Sequence, residues 1–285
     1  MGMEQIEISS GRSTLRLIHA DCLAVLPTLP EASVDLVVTS PPYNIGTRYV
    51  GYDDTAPRAD YLDWCDRWAR EIARLLARKG SFFLNVAGKP SDPCVPFDLL
   101  AVMRRHFRVQ NVIHWVKSIA LPREVGLPKS RVIGHYKPIN SRRYLNDCHE
   151  YLFHLTRGGD VPLDRLAIGV PYEDKSNVTR WRRAASDRHC RGNVWFIPYP
   201  TIQRRDRDRP HPASFPPELA EWCFRLHGLD RIRLALDPFL GIGSAAVAAA
   251  TLGLSFLGIE LTDAYYTEAV ARVREAVASC GVAGG

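Results

Sequence analysis

The chain has 285 residues, 46% of them hydrophobic and 24% charged, ordinary values for a globular protein. They exclude a mostly disordered chain, a collagen and a coiled coil, and the length suits one large α/β domain with a sizeable insertion. The formal net charge of +6 is unevenly spread: residues 121–210 hold 18 Lys+Arg against 10 Asp+Glu, a net of +8 that leaves −2 for the rest.

Taken in chain order, residues 14–19 (TLRLIH) read as a short strand. Asp21 and a short amphipathic helix, CLAVLPTL, follow. Residues 34–38 (VDLVV) form a β-rich run that ends in Ser40-Pro41-Pro42-Tyr43, because two prolines cannot continue a central strand. A loop rich in Gly, Asp and Tyr covers about 45–58. A helix is expected over 59–78, where Leu62, Cys65, Trp68, Ala69, Ile72, Leu75 and Leu76 fall at i, i+3, i+4 spacing and Gly80 closes it. Strands are expected at 81–86, 109–116 and 148–156, with a helix over 97–107.

Ser214–His227 reads as a helix capped by Ser214, with two prolines in its first turn. Then come a strand (233–236), the turn Asp237-Pro238-Phe239-Leu240-Gly241-Ile242-Gly243-Ser244, an alanine-rich helix, a strand (255–259) ending at Glu260, and a helix from Asp263. Alternating strands and helices predict a mostly parallel sheet covered on both faces. The apolar stretch from Leu234 to Glu260 is cut by Asp237, Pro238 and several glycines, so it is no membrane span. The opening residues lack the apolar core of a signal peptide, and a cytoplasmic protein is expected. Seven scattered cysteines without a CxxC pair read as reduced thiols, with no metal site.

Two segments carry chemistry. A Gly-x-Gly turn between strand and helix lets a ligand approach backbone N–H groups, and an acidic residue at the end of the next strand, here Glu260, can accept from both ribose hydroxyls. Alone, this describes a nucleoside-bearing cofactor of several kinds; Gly241-x-Gly243-x-x-Ala246 even satisfies the loose dinucleotide pattern. The Ser40-Pro41-Pro42-Tyr43 turn is stiff and holds a hydroxyl, a carbonyl and an aromatic ring at a strand end, where α/β proteins place reacting groups. Alone, it also fits an ordinary strand-ending turn.

Together, [S/D/N]-P-P-[Y/F/W] and D-P-F-x-G-x-G resemble the double signature of S-adenosylmethionine-dependent DNA methyltransferases that modify exocyclic amino groups. The order in this chain, catalytic motif, basic region, cofactor motif, is similar to the permuted beta group of that family over nearly the full length. HADCLAVLPTLPEASVDLVVTSPPYN and His211-Pro212-Ala213-Ser214-Phe215-Pro216 fit as well.

The resemblance implies a Rossmann-like methyltransferase fold, with a catalytic half at 1–120, a target-recognition region at 121–210 that includes a returning sheet strand near 148–156, and a cofactor half at 211–285. It implies that Glu260 binds the ribose of S-adenosyl-L-methionine and that Asp21 with the Cys22 backbone holds the adenine edge. Asp237, Phe239, Gly241, Gly243 and Ser244 would line the methionine part, with His211, Pro212 and Phe215 closing over it. Ser40 and the Pro41 carbonyl would accept the hydrogens of the target amine, with Pro42 stiffening the turn and Tyr43 stacking on a flipped base. The 45–58 loop, with Tyr49, Gly51 and Tyr52, is expected to act as a lid.

Fifteen of the 18 cations in 121–210 are arginine, which grips phosphate or a guanine edge bidentately. Arg123, Lys129, Arg131, Arg142, Arg143, Arg180, Arg182, Arg183, Arg204 and Arg205 are the candidates for contacts to double-stranded DNA, while Trp181 reads as core. Ser40, together with HPASFP where adenine enzymes of the family show HPTQKP, points to the N4-cytosine members; N6-adenine is the alternative. A nicotinamide oxidoreductase and a non-catalytic DNA-binding protein are the readings from other classes. A homodimer and a cognate restriction endonuclease remain open as partners, and no membrane is expected.

Overall fold

A computed structural model describes residues 4–11, 13–121, 131–134, 140–176, 178, 187–198 and 214–282. The strands are β1 (Glu4–Ser10), β2 (Ser13–His19), β3 (Val34–Thr39), β4 (Leu76–Val86), β5 (Arg108–Val116), β6 (Ser118–Leu121), β7 (Arg131–Gly134), β8 (His149–Thr156), β9 (Val194–Phe196), β10 (Ala235–Asp237) and β11 (Phe256–Glu260). The helices are α1 (Cys22–Val25), α2 (Arg58–Leu75), α3 (Val95–Met103), α4 (Pro217–His227), α5 (Ser244–Thr251) and α6 (Asp263–Val282).

Nine strands form one sheet in the order β1-β2-β11-β10-β3-β4-β8-β5-β9, and β6-β7 form a separate hairpin. The run from β2 through β11, β10 and β3 to β4 is parallel, as is β5 with β9. β1 and β8 pair antiparallel to their neighbours. The mostly parallel sheet expected from the sequence is therefore present. Its central strands are buried on both sides: every residue of β3 and of β11 is buried, the pattern of a sheet covered by helices on both faces.

The two faces hold separate cores. Leu36, Val38 and Phe83 pack with Leu219, Cys223 and Phe224 of α4, Ala245 and Ala249 of α5, and Val273 of α6. Val37, Phe82 and Leu84 pack with Trp68, Ile72 and Leu75 of α2 and Leu99 of α3. The alternation of β3 and β4 residues between these sets follows from the two-residue period of a strand.

Several boundaries differ from the sequence reading. α2 ends at Leu75, and Leu76 is already extended, so β4 begins five residues before the expected start. Gly80 is therefore not a helix cap; a Cβ there would lie 2.8 Å from the Leu76 side chain and 3.0 Å from the Asp35 carbonyl oxygen. α4 starts at Pro217 and Pro216 occupies the cap position, so Ser214 does not cap it. β1 and β9 were not anticipated. β1 is a half-buried edge strand whose Ile6 and Ile8 rest on the α4–α6 core. β9 is three residues long and anchored by Trp195, which is 1% exposed.

Candidate active site

The sheet reverses its order of travel between β10 and β3. From β10 the chain moves through α5 to β11, towards β2; from β3 it moves through α2 to β4, in the opposite direction. Loops leaving two such strands diverge and leave a crevice at their carboxyl ends, where open α/β sheets bind ligands. The two sequence motifs leave from those two strands. The crevice is a cavity of about 310 Å³ whose wall includes Ser40 and Pro42 on one side and Phe239, Gly241, Ser244 and Glu260 on the other.

The glycine turn is built by backbone conformation. Gly241 and Gly243 have φ of 54° and 81°, the left-handed region that favours glycine. Gly243 caps α5, and a Cβ on it would press on Ala269 of α6 at 3.1 Å. Glu260 is tied to this turn: its Oε2 accepts the Gly241 N–H at 2.7 Å and its Oε1 accepts the Thr262 N–H at 2.8 Å. Burial raises the Glu260 carboxyl above its usual range, against the lowering effect of those amides.

Asp237 and Gly243 stand behind the cavity wall, not in it. The Asp237 carboxylate is 1% exposed. Its Oδ1 accepts both the Thr39 hydroxyl at 2.5 Å and the Phe239 N–H at 3.0 Å, so it joins β10 to β3. Burial pushes it up to about 7, with Thr39 and the Phe239 amide opposing and Glu260 adding to the rise. Asp21 caps α1 through the Leu23 N–H at 2.9 Å and lines the cavity with Cys22. Phe215 and Ser214 also line it, whereas His211 and Pro212 lie outside the described residues.

On the catalytic turn, Pro41 is buried and Pro42 presents its ring to the cavity while its carbonyl accepts the Tyr61 hydroxyl at 2.8 Å. Tyr43 departs from expectation. Its ring is packed in the α2–α3 core and is 6% exposed, so it is not open to a stacked base. Its phenol oxygen instead meets Ser40 Oγ at 2.6 Å, Asn85 Nδ2 at 2.8 Å and Glu150 Oε2 at 3.1 Å. Glu150 also accepts from Asn85 at 2.6 Å and from Lys117 at 2.9 Å. Burial would raise the Glu150 carboxyl, but Lys117 and the hydrogen bonds from Lys117, Asn85 and Tyr43 hold it below its usual range.

The segment between Tyr43 and α2 is wound around Asp54, which is 2% exposed. Its carboxylate accepts the N–H groups of Asn44, Ile45 and Thr47 at 2.7, 3.1 and 2.9 Å. From there the chain crosses to the start of α6. The Val50 N–H donates to the Tyr265 hydroxyl at 3.1 Å, and the Thr262 hydroxyl donates to the Val50 carbonyl at 3.2 Å. Tyr49 and Tyr52 thereby become cavity wall, beside Trp64 of α2. Burial pushes the Tyr52 phenol up to about 12.

Of the basic candidates, Arg142 and Arg143 are exposed, with the Arg143 guanidinium 5.1 Å from the centre of the Tyr144 ring. Arg131 begins β7, its side chain undescribed. Arg123, Lys129, Arg180, Arg182, Arg183, Arg204, Arg205 and Trp181 lie outside the described residues. Sequence reasoning missed Trp64, Asn85, Lys117, Glu150, Thr262 and Tyr265. Asn85 and Glu150 carried a signal, each being a polar residue at the end of an otherwise apolar strand run.

The sequence matches a family described as DNA methylase over residues 34–271. It is 29% identical over 269 residues to the type II methyltransferase M.ScaI of Streptomyces caespitosus, covering 92% of this chain and 82% of that protein. It is 27% identical to the DNA adenine methyltransferase YhdJ of Escherichia coli K12, covering 90% and 81%. A DNA modification methylase of Thermus thermophilus, TTHA0409, solved with S-adenosyl-L-methionine, superposes with a TM-score of 0.58 at 26% identity over 91% of this chain and 93% of that one. The cytosine-N4-specific PvuII DNA methyltransferase shares the fold, with a TM-score of 0.62 at 18% identity over 93% and 91%. This chain belongs to the DNA methylase family of N6 and N4 amino-methyltransferases.

Proposed function

We propose that this chain transfers a methyl group from S-adenosyl-L-methionine to the exocyclic N4 of a cytosine in double-stranded DNA. The observation that carries the reading is that Ser40 and Glu260, from motifs some 200 residues apart, face one cavity. The residues present fit the cofactor. The cavity lies within the 300–1,000 Å³ range of small-molecule sites. Glu260 spends one lone pair of each oxygen on the wall and keeps others for a diol. Tyr49, Tyr52, Trp64 and Phe239 offer ring faces that suit a purine and attract a sulfonium charge. The amino end of α5, with Ser244 in the cavity wall, suits a carboxylate.

Bound there, S-adenosyl-L-methionine supplies an electrophilic methyl group. The protein has to improve a poor nucleophile, because the lone pair of an exocyclic amine is delocalised into its ring. Ser40 Oγ and the Pro41 carbonyl accept the two amine hydrogens, draw the nitrogen towards a pyramidal shape and aim its lone pair into the cavity. Holding both reactants in line supplies much of the acceleration. The amine is buried in a duplex, so the base has to be flipped out. Residues 121–210 are the target-recognition element in this reading, and their arginines mainly hold phosphate. Pairing with a restriction endonuclease fits the type II names of the relatives.

Serine at position 40 goes with the N4-cytosine enzymes in the family resemblance, which supports cytosine. The 27% identity to an adenine methyltransferase over 90% of the chain favours N6-adenine as the second reading. The test is transfer of tritiated methyl from the cofactor to unmethylated duplex DNA. Incorporation that is lost in Ser40→Ala, with cofactor binding intact, is expected. Binding of NADH in place of S-adenosyl-L-methionine, with no incorporation, would overturn the reading.

A further inference from the structure

Behind the catalytic turn, five polar side chains form one connected network: Ser40, Tyr43, Asn85, Glu150 and Lys117. Nothing in the amine-activation chemistry above uses Asn85, Glu150 or Lys117. The network has a direction, and the direction follows from counting hydrogens.

The Glu150 carboxylate can only accept. It takes hydrogens from Lys117 Nζ on Oε1 and from Asn85 Nδ2 on Oε2. The Asn85 amide orientation is therefore set by its donor end, and its Oδ1 is buried without a partner. Its second N–H points at the Tyr43 oxygen. Tyr43 owns one hydrogen, with Ser40 at 2.6 Å and Glu150 at 3.1 Å competing for it. If that hydrogen went to Ser40, the phenol oxygen and the carboxylate would face each other lone pair to lone pair. The hydrogen therefore goes to Glu150. The phenol oxygen then has both lone pairs taken, one by Asn85 and one by the Ser40 hydroxyl. Ser40 is left with no hydrogen to offer the cavity, only lone pairs.

We propose that Glu150 is a positioning residue for methyl transfer: through Tyr43 it turns the Ser40 hydroxyl inward and makes Ser40 Oγ an obligate acceptor for the target amine. This inference rests on the amino-methyltransferase reading of the cavity. A hydroxyl is both donor and acceptor, and one pointing its hydrogen at an amine would repel the N–H it should hold. Glu150 removes that freedom from a distance, without touching the reactants. The buried Tyr43 ring thereby gains a function that does not require it to stack on a base.

Substitution of the carboxylate by an amide reverses the direction. In Glu150→Gln the single carbonyl oxygen pairs with the Lys117 ammonium, the stronger donor, and the NH₂ faces Tyr43. The phenol hydrogen then swings to Ser40, and the Ser40 hydrogen turns into the cavity. The experiment is a double-mutant cycle on the single-turnover rate at saturating DNA and cofactor, using the full chain. Glu150→Gln and Tyr43→Phe are each combined with Ser40→Ala, and cofactor affinity and Tm are measured for every variant.

With Ser40 present, each change is expected to slow methyl transfer by about 10- to 100-fold, the scale of one misaligned hydrogen bond in a transition state. In the Ser40→Ala background the same changes are expected to cost less than about 2-fold, because there is no hydroxyl left to orient. Equal losses in both backgrounds, or no loss with Ser40 present, would overturn the proposal, since a structural role alone is indifferent to residue 40. If Glu150→Gln does not fold, Tyr43→Phe carries the cycle. If Ser40→Ala is too slow to follow, the rates of Tyr43→Phe, Glu150→Gln and their double variant decide: the relay requires the double to be no slower than the slower single. A wild-type chain that methylates no DNA overturns the functional reading itself, whereas an active wild type with additive losses overturns only the relay.

Discussion

The carboxylate of Glu260 and the amide of Gly241 are joined by a 2.7 Å hydrogen bond. It ties the end of β11 to the glycine turn after β10, so the residue read as the ribose acceptor also fixes the shape of the turn beside it. Glu260→Ala removes both roles, leaving the Gly241 and Thr262 amides without their acceptor. We expect weaker S-adenosyl-L-methionine binding by about 10- to 100-fold, together with a loss of roughly 1–3 kcal/mol in stability. Calorimetric titration and urea unfolding check the two effects. Unchanged cofactor affinity would remove Glu260 from the site.

Asp54 organises the segment that walls the cavity, through three amide hydrogen bonds to one buried carboxylate. Asp54→Ala leaves those amides unpaired and frees Tyr49 and Tyr52 from their places. Dissociation of the cofactor is expected to quicken, and proteolysis within 45–57 to appear, at a stability cost of about 2 kcal/mol. Stopped-flow release of S-adenosyl-L-methionine reads the first effect. An unaltered release rate would mean that the segment does not retain the cofactor.

Two buried histidines make the fold acid-sensitive. Asn111 donates to His154 Nδ1, the far side of that ring donates to Ser81, and Ser81 donates to His227 Nδ1. Burial pushes His154 down to about 3 and His227 down to about 4. Both are neutral in the fold and protonate on unfolding, so their contribution is present above pH 6.5 and declines as the pH falls towards 4. Asp237 acts in the opposite sense. Raised to about 7, it is most easily accommodated when protonated, and its contribution is lost as the pH rises from 3.8 through 7. It offsets about one of the two histidines. Each uncompensated group changes stability by roughly 1.4 kcal/mol per pH unit. Asp237→Asn keeps the Oδ1 acceptor for Thr39 and Phe239. It is expected to stabilise the protein at pH 8 and to steepen its acid loss, read as urea unfolding between pH 8 and 5. A slope unaffected by the substitution would contradict the assignment.

Arg142 and Arg143 are exposed on the basic stretch. If they hold phosphates, Arg142→Ala and Arg143→Ala each weaken duplex binding equally for all sequences, and each lowers the slope of log K against log salt by about 1. Fluorescence anisotropy at several salt concentrations measures that slope. A change confined to one DNA sequence would instead make them base readers.

Much of this was legible in the sequence because the signals are local. Trp68, Ile72 and Leu75 announce α2 by spacing, and the two prolines after Ser40 end β3 by chemistry. Gly241 and Gly243 were legible because a left-handed turn calls for glycine, and Glu260 because a carboxylate closing an apolar strand calls for a partner. What escaped was set by tertiary partners. β9 exists because Trp195 packs beneath a sheet edge some 80 residues earlier in the chain. Gly80 looked like a cap but answers to the crowding of Leu76 and Asp35. Tyr43 looked like a stacking platform, yet its neighbours Asn85 and Glu150 come from strands that no local pattern connects to it.

The central claim is amine methylation of DNA at Ser40, and nucleoside mass spectrometry tests it most directly. Unmethylated genomic DNA is incubated with the protein and S-adenosyl-L-methionine, digested and compared with the Ser40→Ala reaction. The account predicts N4-methylcytosine that depends on Ser40. N6-methyladenine in its place would contradict the cytosine assignment, and the absence of any new methylated nucleoside would contradict the claim as a whole.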